Sequence, residues 1–350
     1  MRKMKPVFEI LENFKHCHIL VVGDLMLDEY LWGDIRRISP EAPVPILNIE
    51  RRECTLGGAG NVVKNLRSMG AEVSAFGAVG EDAAGDQIVS SLDQLQVHRG
   101  GVVRDPQRKS TRKTRLMALE HGQQVFRLDE ESLHCIDASV EDALLDRLRV
   151  AIADADAVLC SDYLKGVLTA RLLQAIFQTA GSRRLPVIVA PKDSAPEKYS
   201  GASVLAPNLK ELARLVKTPL EGTAWLSGAA ERLMSALQIE SLLVTRGAQG
   251  MSLFEWSGNS VLRVDIPTVA RTVYDVTGAG DTVVSVFTLV VAAGANRETA
   301  ARLANVAGGI VVGKRGTASV SVDEIQERLN EDKDILLAPE RIASACGAAE

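Results

Sequence analysis

Near the end of the chain stand Asp275, Val276, Thr277, Gly278, Ala279, Gly280, Asp281 and Thr282, followed at once by an apolar helical run. A Gly-Ala-Gly turn lets backbone N–H groups approach a ligand closely, because glycine tolerates the φ values such a turn needs. The helix that follows adds unpaired N–H groups and the positive end of its dipole, which together favour an anion. A carboxylate at position 281 would repel a phosphate bound there. It suits taking the proton from an attacking hydroxyl. The plainer reading of the same residues is an Asp N-cap after a glycine turn.

Four further constellations carry chemistry. Gly23-Asp24-Leu25-Met26-Leu27-Asp28 follows the first apolar run. Carboxylates after parallel strands sit in the ligand crevice of α/β sheets, and Asp24 and Asp28 could grip sugar hydroxyls as acceptors. Leu56-Gly57-Gly58-Ala59-Gly60-Asn61 runs into a helix carrying Lys64. Its glycines permit close backbone approach, and Asn61 offers both a donor and an acceptor to a polyol. Asn208 and Glu211 lie three apart at a helix start, spaced to order Mg²⁺ and its waters. A simple capping box explains that pair equally and is preferred on sequence alone. Thr245-Arg246-Gly247-Ala248-Gln249-Gly250 reads as a tight turn or as a nucleotide-contacting loop. Neither glycine run is a dinucleotide fingerprint, since Val63 and Val283 stand where a third glycine is needed. A GxxxxGK[ST] phosphate loop is lacking.

The elements that must position these residues read as alternating strands and helices. With 350 residues, 46% of them hydrophobic, the chain is long enough for a large α/β core. The net charge of -5 argues against binding nucleic acid through phosphate neutralisation. Apolar runs too short for a membrane span, and no secretory leader, point to a cytoplasmic protein. The five cysteines lack metal-ligand spacing and read as reduced thiols. Strands are expected at 18–22, 73–78, 157–160, 187–190, 204–206 and 242–245, nearly all apolar, as strands buried on both faces should be. Helices are expected at 60–69, 85–95, 140–152, 169–179, 223–237, 280–292 and 297–312. Gly70, Gly181 and Gly294 stand where a glycine ends a helix. Residues 29–52 and 101–129 break the rhythm as antiparallel excursions, suited to a small lid sheet or a dimer surface.

Together these blocks resemble the ribokinase-like (PfkB) carbohydrate kinases over roughly Ile19 to Val322. The resemblance rests on Gly57-Gly58-Ala59-Gly60-Asn61, Val79-Gly80-Glu81-Asp82-x-x-Gly85, Pro207-Asn208-x-x-Glu211 and the Asp275–Thr282 block. Within that family, Arg36-Arg37-Ile38-Ser39-Pro40-Glu41-Ala42-Pro43-Val44-Pro45, the Thr245–Ser252 block and Val311–Thr317 resemble the bacterial heptose kinases. These phosphorylate D-glycero-β-D-manno-heptose 7-phosphate at O1 on the route to the lipopolysaccharide inner core.

The resemblance implies a three-layer αβα sandwich with a mostly parallel sheet and a β-sheet lid. One kinase domain would span 1–335, with 336–350 as a tail. It implies Asp281 as base and Gly278, Ala279 and Gly280 as anion hole. Asp28, Gly57, Gly58 and Asn61 would hold the sugar, with Lys64, Arg112 and Gln123 beside it. Lys192, Asn208, Glu211, Thr245, Gly247, Gly250 and Asn305 would serve ATP and its Mg²⁺. Asp275 and Thr277 would border a monovalent cation such as K⁺. Cations for an acceptor phosphate are sought among Lys64, Arg112, Lys113, Arg115 and Lys192, Lys64 first. The HxGH signature of the nucleotidyltransferase that many relatives carry is absent, so the chain is expected to be a stand-alone kinase, and a homodimer through the lid. Ala190 stands where relatives commonly carry Asp. The competing expectations are another sugar or nucleoside kinase of the family, or a non-catalytic binding protein of the same fold.

Overall fold

A computed structural model describes residues 4–120, 122–218, 224–332, 336 and 341–343. Its strands are β1 (His18–Gly23), β2 (Leu25–Ile38), β3 (Pro45–Gly58), β4 (Glu72–Val79), β5 (His98–Arg104), β6 (Thr111–Ala118), β7 (Gln123–Glu130), β8 (Ala157–Ser161), β9 (Val187–Ala190), β10 (Val204–Leu205), β11 (Ser241–Thr245), β12 (Met251–Ser257), β13 (Ser260–Ile266) and β14 (Arg341–Ala343). Ten of them form one sheet in the order β14-β13-β12-β11-β10-β9-β8-β1-β4-β5. The pairs from β11 to β5 are parallel, and β12, β13 and β14 extend the sheet antiparallel.

The apolar runs explain the layering. In β1, Ile19 and Val21 point into one buried cluster and Leu20 and Val22 into another, as period-2 alternation requires. Helices Ala59–Ser68, Ala83–Gln94, Ala279–Ala292 and Arg297–Val311 cover the first face. Helices Ala138–Ala151, Ala170–Ser182, Leu209–Val216 and Ala224–Leu237 cover the second. Among the described residues no helix is long and apolar enough to cross a membrane.

The second sheet has four strands, β3-β2-β6-β7. Its two hairpins, β2/β3 and β6/β7, are antiparallel and meet through a parallel β2/β6 pair. The excursions expected at 29–52 and 101–129 therefore exist with shifted bounds. Residues 98–104 belong to the edge of the large sheet, and the lid resumes only at Thr111. His121, between β6 and β7 in the sequence, lies outside the described residues. Of the expected tail, residues 341–343 pair with β13, while 337–340 and 344–350 lie outside the described residues.

The helix ends differ in one place. Gly70 and Gly294 take the left-handed conformation expected of them, but Gly181 lies within the helix Ala170–Ser182, and Arg184 carries the positive φ instead. Gly23 closes β1 where it meets β8, and a Cβ there would run into the Ser161 carbonyl. Replacing Gly23 by Ala is expected to destabilise the fold by about 1–3 kcal/mol, the usual cost of overpacking. An unchanged midpoint in denaturant unfolding would contradict this.

Candidate active site

The glycine turn ahead of Asp281 builds the helix Ala279–Ala292 with Gly278 as its N-cap, at φ 79. A Cβ at Gly278 would lie 2.8 Å from Asn61 Nδ2, so glycine serves both the left-handed backbone and the close approach. Asp281 is thus inside the first turn and is not the N-cap. Its carboxylate accepts Asn61 Nδ2–H at 2.8 Å on one oxygen and the Tyr163 phenol at 2.7 Å on the other. Burial pushes the Asp281 carboxyl above the usual carboxylate range, while the Asn61 and Tyr163 hydrogen bonds and Lys192 pull it back. Asn61 Oδ1 is buried without a partner, an acceptor left over beside the Asp281 carboxylate.

Asp281 lines a cavity of about 230 Å³ with Gly278, Gly280, Asp162, Tyr163, Lys192 and Asn208. Ala190, Glu211 and Thr245 border it too. Asn208 and Glu211 form a full capping box on the helix Leu209–Val216, so the simpler reading of that pair holds. The same Glu211 carboxylate takes Lys192 Nζ at 2.7 Å, and that ammonium also stands 5.4 Å from the centre of the Tyr163 ring. Position 190 has lost its carboxylate, but Asp162 and Glu211 supply two others to the cavity.

A second, more apolar cavity of about 450 Å³ shares Thr245 and Gly280 with the first. Gly247, Gly250, Ala279 and Asn305 border it, with Val273, Val276 and Val283. Gly250, at φ 79, sits against the Ile266 carbonyl. Asn305 Nδ2 donates to the Pro267 carbonyl at 2.7 Å, which fixes one wall. Of the residues expected at the anion hole and the nucleotide, Gly278, Gly280, Lys192, Asn208, Glu211 and Thr245 line the first cavity and Gly247, Gly250, Ala279 and Asn305 the second, while Asp275 and Thr277 line neither.

The lid sheet brings a third group. Asp28 is buried and accepts Arg115 Nη1–H at 2.6 Å. A Cβ at Gly57 would strike the Asp28 carboxylate, so glycine makes room for it. Lys64 is half-buried, donates to the Thr317 carbonyl at 2.6 Å, and feels the charges of Asp28 and Asp281. Burial lowers its pKa from the ordinary lysine range. Gly58 works through the backbone: at φ 57 it turns β3 into the helix Ala59–Ser68, and Ala59 N–H donates to the Asp24 carbonyl at 3.0 Å.

Several expected residues stand elsewhere. Asp24 is buried, and its carboxylate already accepts the N–H groups of Tyr163, Lys165 and Val167 at 2.7, 3.1 and 3.2 Å. It shapes a loop and has no face for a sugar hydroxyl. Arg112 points from the opposite face of β6 to Lys113 and Arg115, pairs with Glu130, and borders a separate crevice with Asp82. Gln123 is exposed at the far end of the lid, in register with Ala118. Asp275 spends its carboxylate on the N–H groups of Thr277 at 2.8 Å and Gly316 at 3.2 Å, which braces the turn ahead of Gly278. Sequence reasoning overlooked Asp162, Tyr163 and Lys165. A Ser-Asp-Tyr step after an apolar strand, in the position of Gly23-Asp24 after β1, was the available signal.

Comparison with known proteins fits this geometry. The model of the pfkB family carbohydrate kinases matches residues 17–324. A protein of Geotalea uraniireducens named bifunctional protein HldE is 44% identical over 321 residues, covering 92% of this chain and 64% of its own. Its namesake in Trichlorobacter lovleyi is 42% identical over 349 residues, covering 99% and 70%. The chain thus spans about two thirds of the length of these curated relatives. Arabidopsis thaliana ribokinase, solved with ribose and ATP, superposes with a TM-score of 0.69 at 20% identity, covering 89% of this chain and 98% of that one. Escherichia coli phosphofructokinase-2, solved with potassium, gives 0.72 at 20% identity, covering 90% and 98%. The fold is ribokinase-like, and the chain belongs to the pfkB family of carbohydrate kinases.

Proposed function

We propose that this kinase transfers the γ-phosphoryl group of ATP to O1 of D-glycero-β-D-manno-heptose 7-phosphate, giving the 1,7-bisphosphate for lipopolysaccharide inner-core synthesis. The observation that carries the transfer is the Asp281 carboxylate, fixed between Asn61 and Tyr163 at a helix N-terminus. The acceptor hydroxyl loses its proton to Asp281 while its oxygen attacks the γ-phosphorus and ADP leaves. The Gly278 and Gly280 N–H groups would face the phosphoryl oxygens and offset their charge, whereas Ala279 N–H, expected to join them, already donates to the Val276 carbonyl at 3.2 Å. ATP would lie across the second cavity, its adenine among the valines and its phosphates toward Gly280.

Mg²⁺ supplies charge neutralisation on the phosphates when bound. Asn208 and Glu211 would hold it from the cavity wall, and because both are engaged in the capping box they suit a hydrated ion held through waters. The Asp275 carboxylate accepts Thr277 N–H at 2.8 Å, and no step is assigned to K⁺.

The heptose assignment draws on the likeness of the Arg36–Pro45 segment to heptose kinases, and on charge beneath the lid. Lys113, Arg115 and Lys165 are half-buried there with Asp28, Asp129 and Glu131 as counter-ions. A phosphate entering this cluster would exchange carboxylate partners for its own oxygens. Product analysis by ³¹P NMR tests the reading. An anomeric phosphate coupled to H1 is expected, and a new phosphate on any other carbon would refute it.

The proposal includes a homodimer through the lid. Ile38, Val44, Ile49, Val125, Phe126 and Leu128 are all exposed on this one small sheet and its connecting loop. Exposed apolar side chains on both edge strands of the lid, β3 and β7, suit pairing with a second copy. Sedimentation equilibrium should give twice the chain mass, and a monomer at micromolar concentration would remove this part of the reading.

A further inference from the structure

The loop after β8 carries side chains that none of the family blocks quoted above contains. Tyr163 projects from it to Asp281, and the loop is fixed on every side. Asp24 accepts three of its N–H groups. Asp162 accepts Leu164 N–H at 2.9 Å with one oxygen and the Tyr199 phenol and Lys198 ammonium, both at 2.7 Å, with the other. Leu164 is held at φ 58, a costly conformation for a branched side chain, which persists only where the surroundings impose it. Gly166, at φ 86, packs against the His134 carbonyl.

The same loop is tied to both strands of the β6/β7 hairpin at its base. Arg108, in the segment leading into β6, is buried and donates to the carbonyls of Lys165 at 3.0 Å and His134 at 2.9 Å. Lys165 Nζ pairs at 2.8 Å with Glu131, just after β7.

We infer that Tyr163 is a positioning residue for phosphoryl transfer: its phenol, on a loop braced by Asp24, Asp162 and Arg108, aims the Asp281 carboxylate at the acceptor hydroxyl. This rests on the reading of Asp281 as the base. The phenol keeps its proton throughout, since burial and the neighbouring Asp281 carboxylate hold its pKa well above the ordinary tyrosine range. The proton released by the acceptor passes to Asp281, the new O–P bond forms, and the bond to ADP breaks; Tyr163 only donates. A carboxylate oxygen has room for both the phenol and the incoming hydroxyl.

The charged groups around Asp281 and Tyr163 include Lys192, Asp28, Lys64, Glu211 and Asp162. None of them moves when Tyr163 is replaced by Phe, which keeps the ring and removes only the donor. That variant is expected to fold with a modestly lowered melting temperature and to lose about 10–100-fold in kcat, the worth of a hydrogen bond to a charged group. KM for ATP should stay within about twofold, because the phenol meets the base and not the nucleotide. The acidic limb of the kcat–pH profile should move to higher pH, because the lost donor stabilised the ionised carboxylate. A purely structural tyrosine would leave that limb in place.

The assay uses ATP, Mg²⁺ and whichever acceptor supports turnover by the unmodified protein, with Asp281→Asn run alongside. Loss of turnover in Asp281→Asn, with kcat and the acidic limb of Tyr163→Phe matching the unmodified protein, overturns the role of Tyr163 alone. Full turnover in Asp281→Asn overturns the base assignment and the inference with it.

Discussion

Replacing Asp281 by Asn lowers kcat by about 10²–10⁴-fold, the typical contribution of a general base, and leaves binding of ATP and acceptor in place. The substitution keeps the size of the side chain and the hydrogen bond from Asn61, so the cavity wall is preserved. What it removes is the proton acceptor. The unmodified protein should also show a distinctive pH dependence. Burial raises the Asp281 carboxyl, so turnover is full above that raised pKa and falls as pH drops through it, at higher pH than an ordinary aspartate would give. The variant should lack this limb. Single-turnover kinetics with binding titrations separate the two effects, and a variant that binds poorly but turns over normally would contradict the assignment.

Replacing Asp28 by Asn lowers kcat/KM for the acceptor by about 10²–10³-fold. One ionised acceptor that grips two hydroxyls contributes about 1.5–3 kcal/mol per hydrogen bond. The amide presents one donor group where the carboxylate presented a second acceptor, and it leaves Arg115 without its ion pair at a half-buried site. KM for ATP should change little, because Asp28 lies on the lid side and borders neither cavity described above. Steady-state kinetics with each substrate varied in turn reads this directly, and equal losses for ATP and acceptor would point to a general disturbance of the fold.

The parallel core was legible because its strands are short, apolar and buried on both faces, as Ile19 to Val22 illustrate. The turn ahead of Asp281 and the glycine wall of the second cavity were legible because glycines with positive φ, such as Gly278 and Gly250, mark turns that only glycine adopts cheaply. Strand faces in the lid were harder. Arg112 and Arg115 look alike in sequence, yet pleat alternation and their partners Glu130 and Asp28 send them to opposite sides. Asp24 resembled Asp28 as a carboxylate after a strand, and only the three-dimensional path of residues 163–167 shows it saturated. Tyr163 was missed for the same reason, since its phenol meets Asp281, 118 positions away along the chain.

The most direct test measures ADP release with ATP and Mg²⁺, comparing D-glycero-β-D-manno-heptose 7-phosphate with free heptose, ribose and fructose 6-phosphate. Strong turnover with heptose 7-phosphate alone is the predicted result. Turnover with an unphosphorylated sugar or with fructose 6-phosphate, and none with heptose 7-phosphate, would contradict the assignment while leaving the family intact.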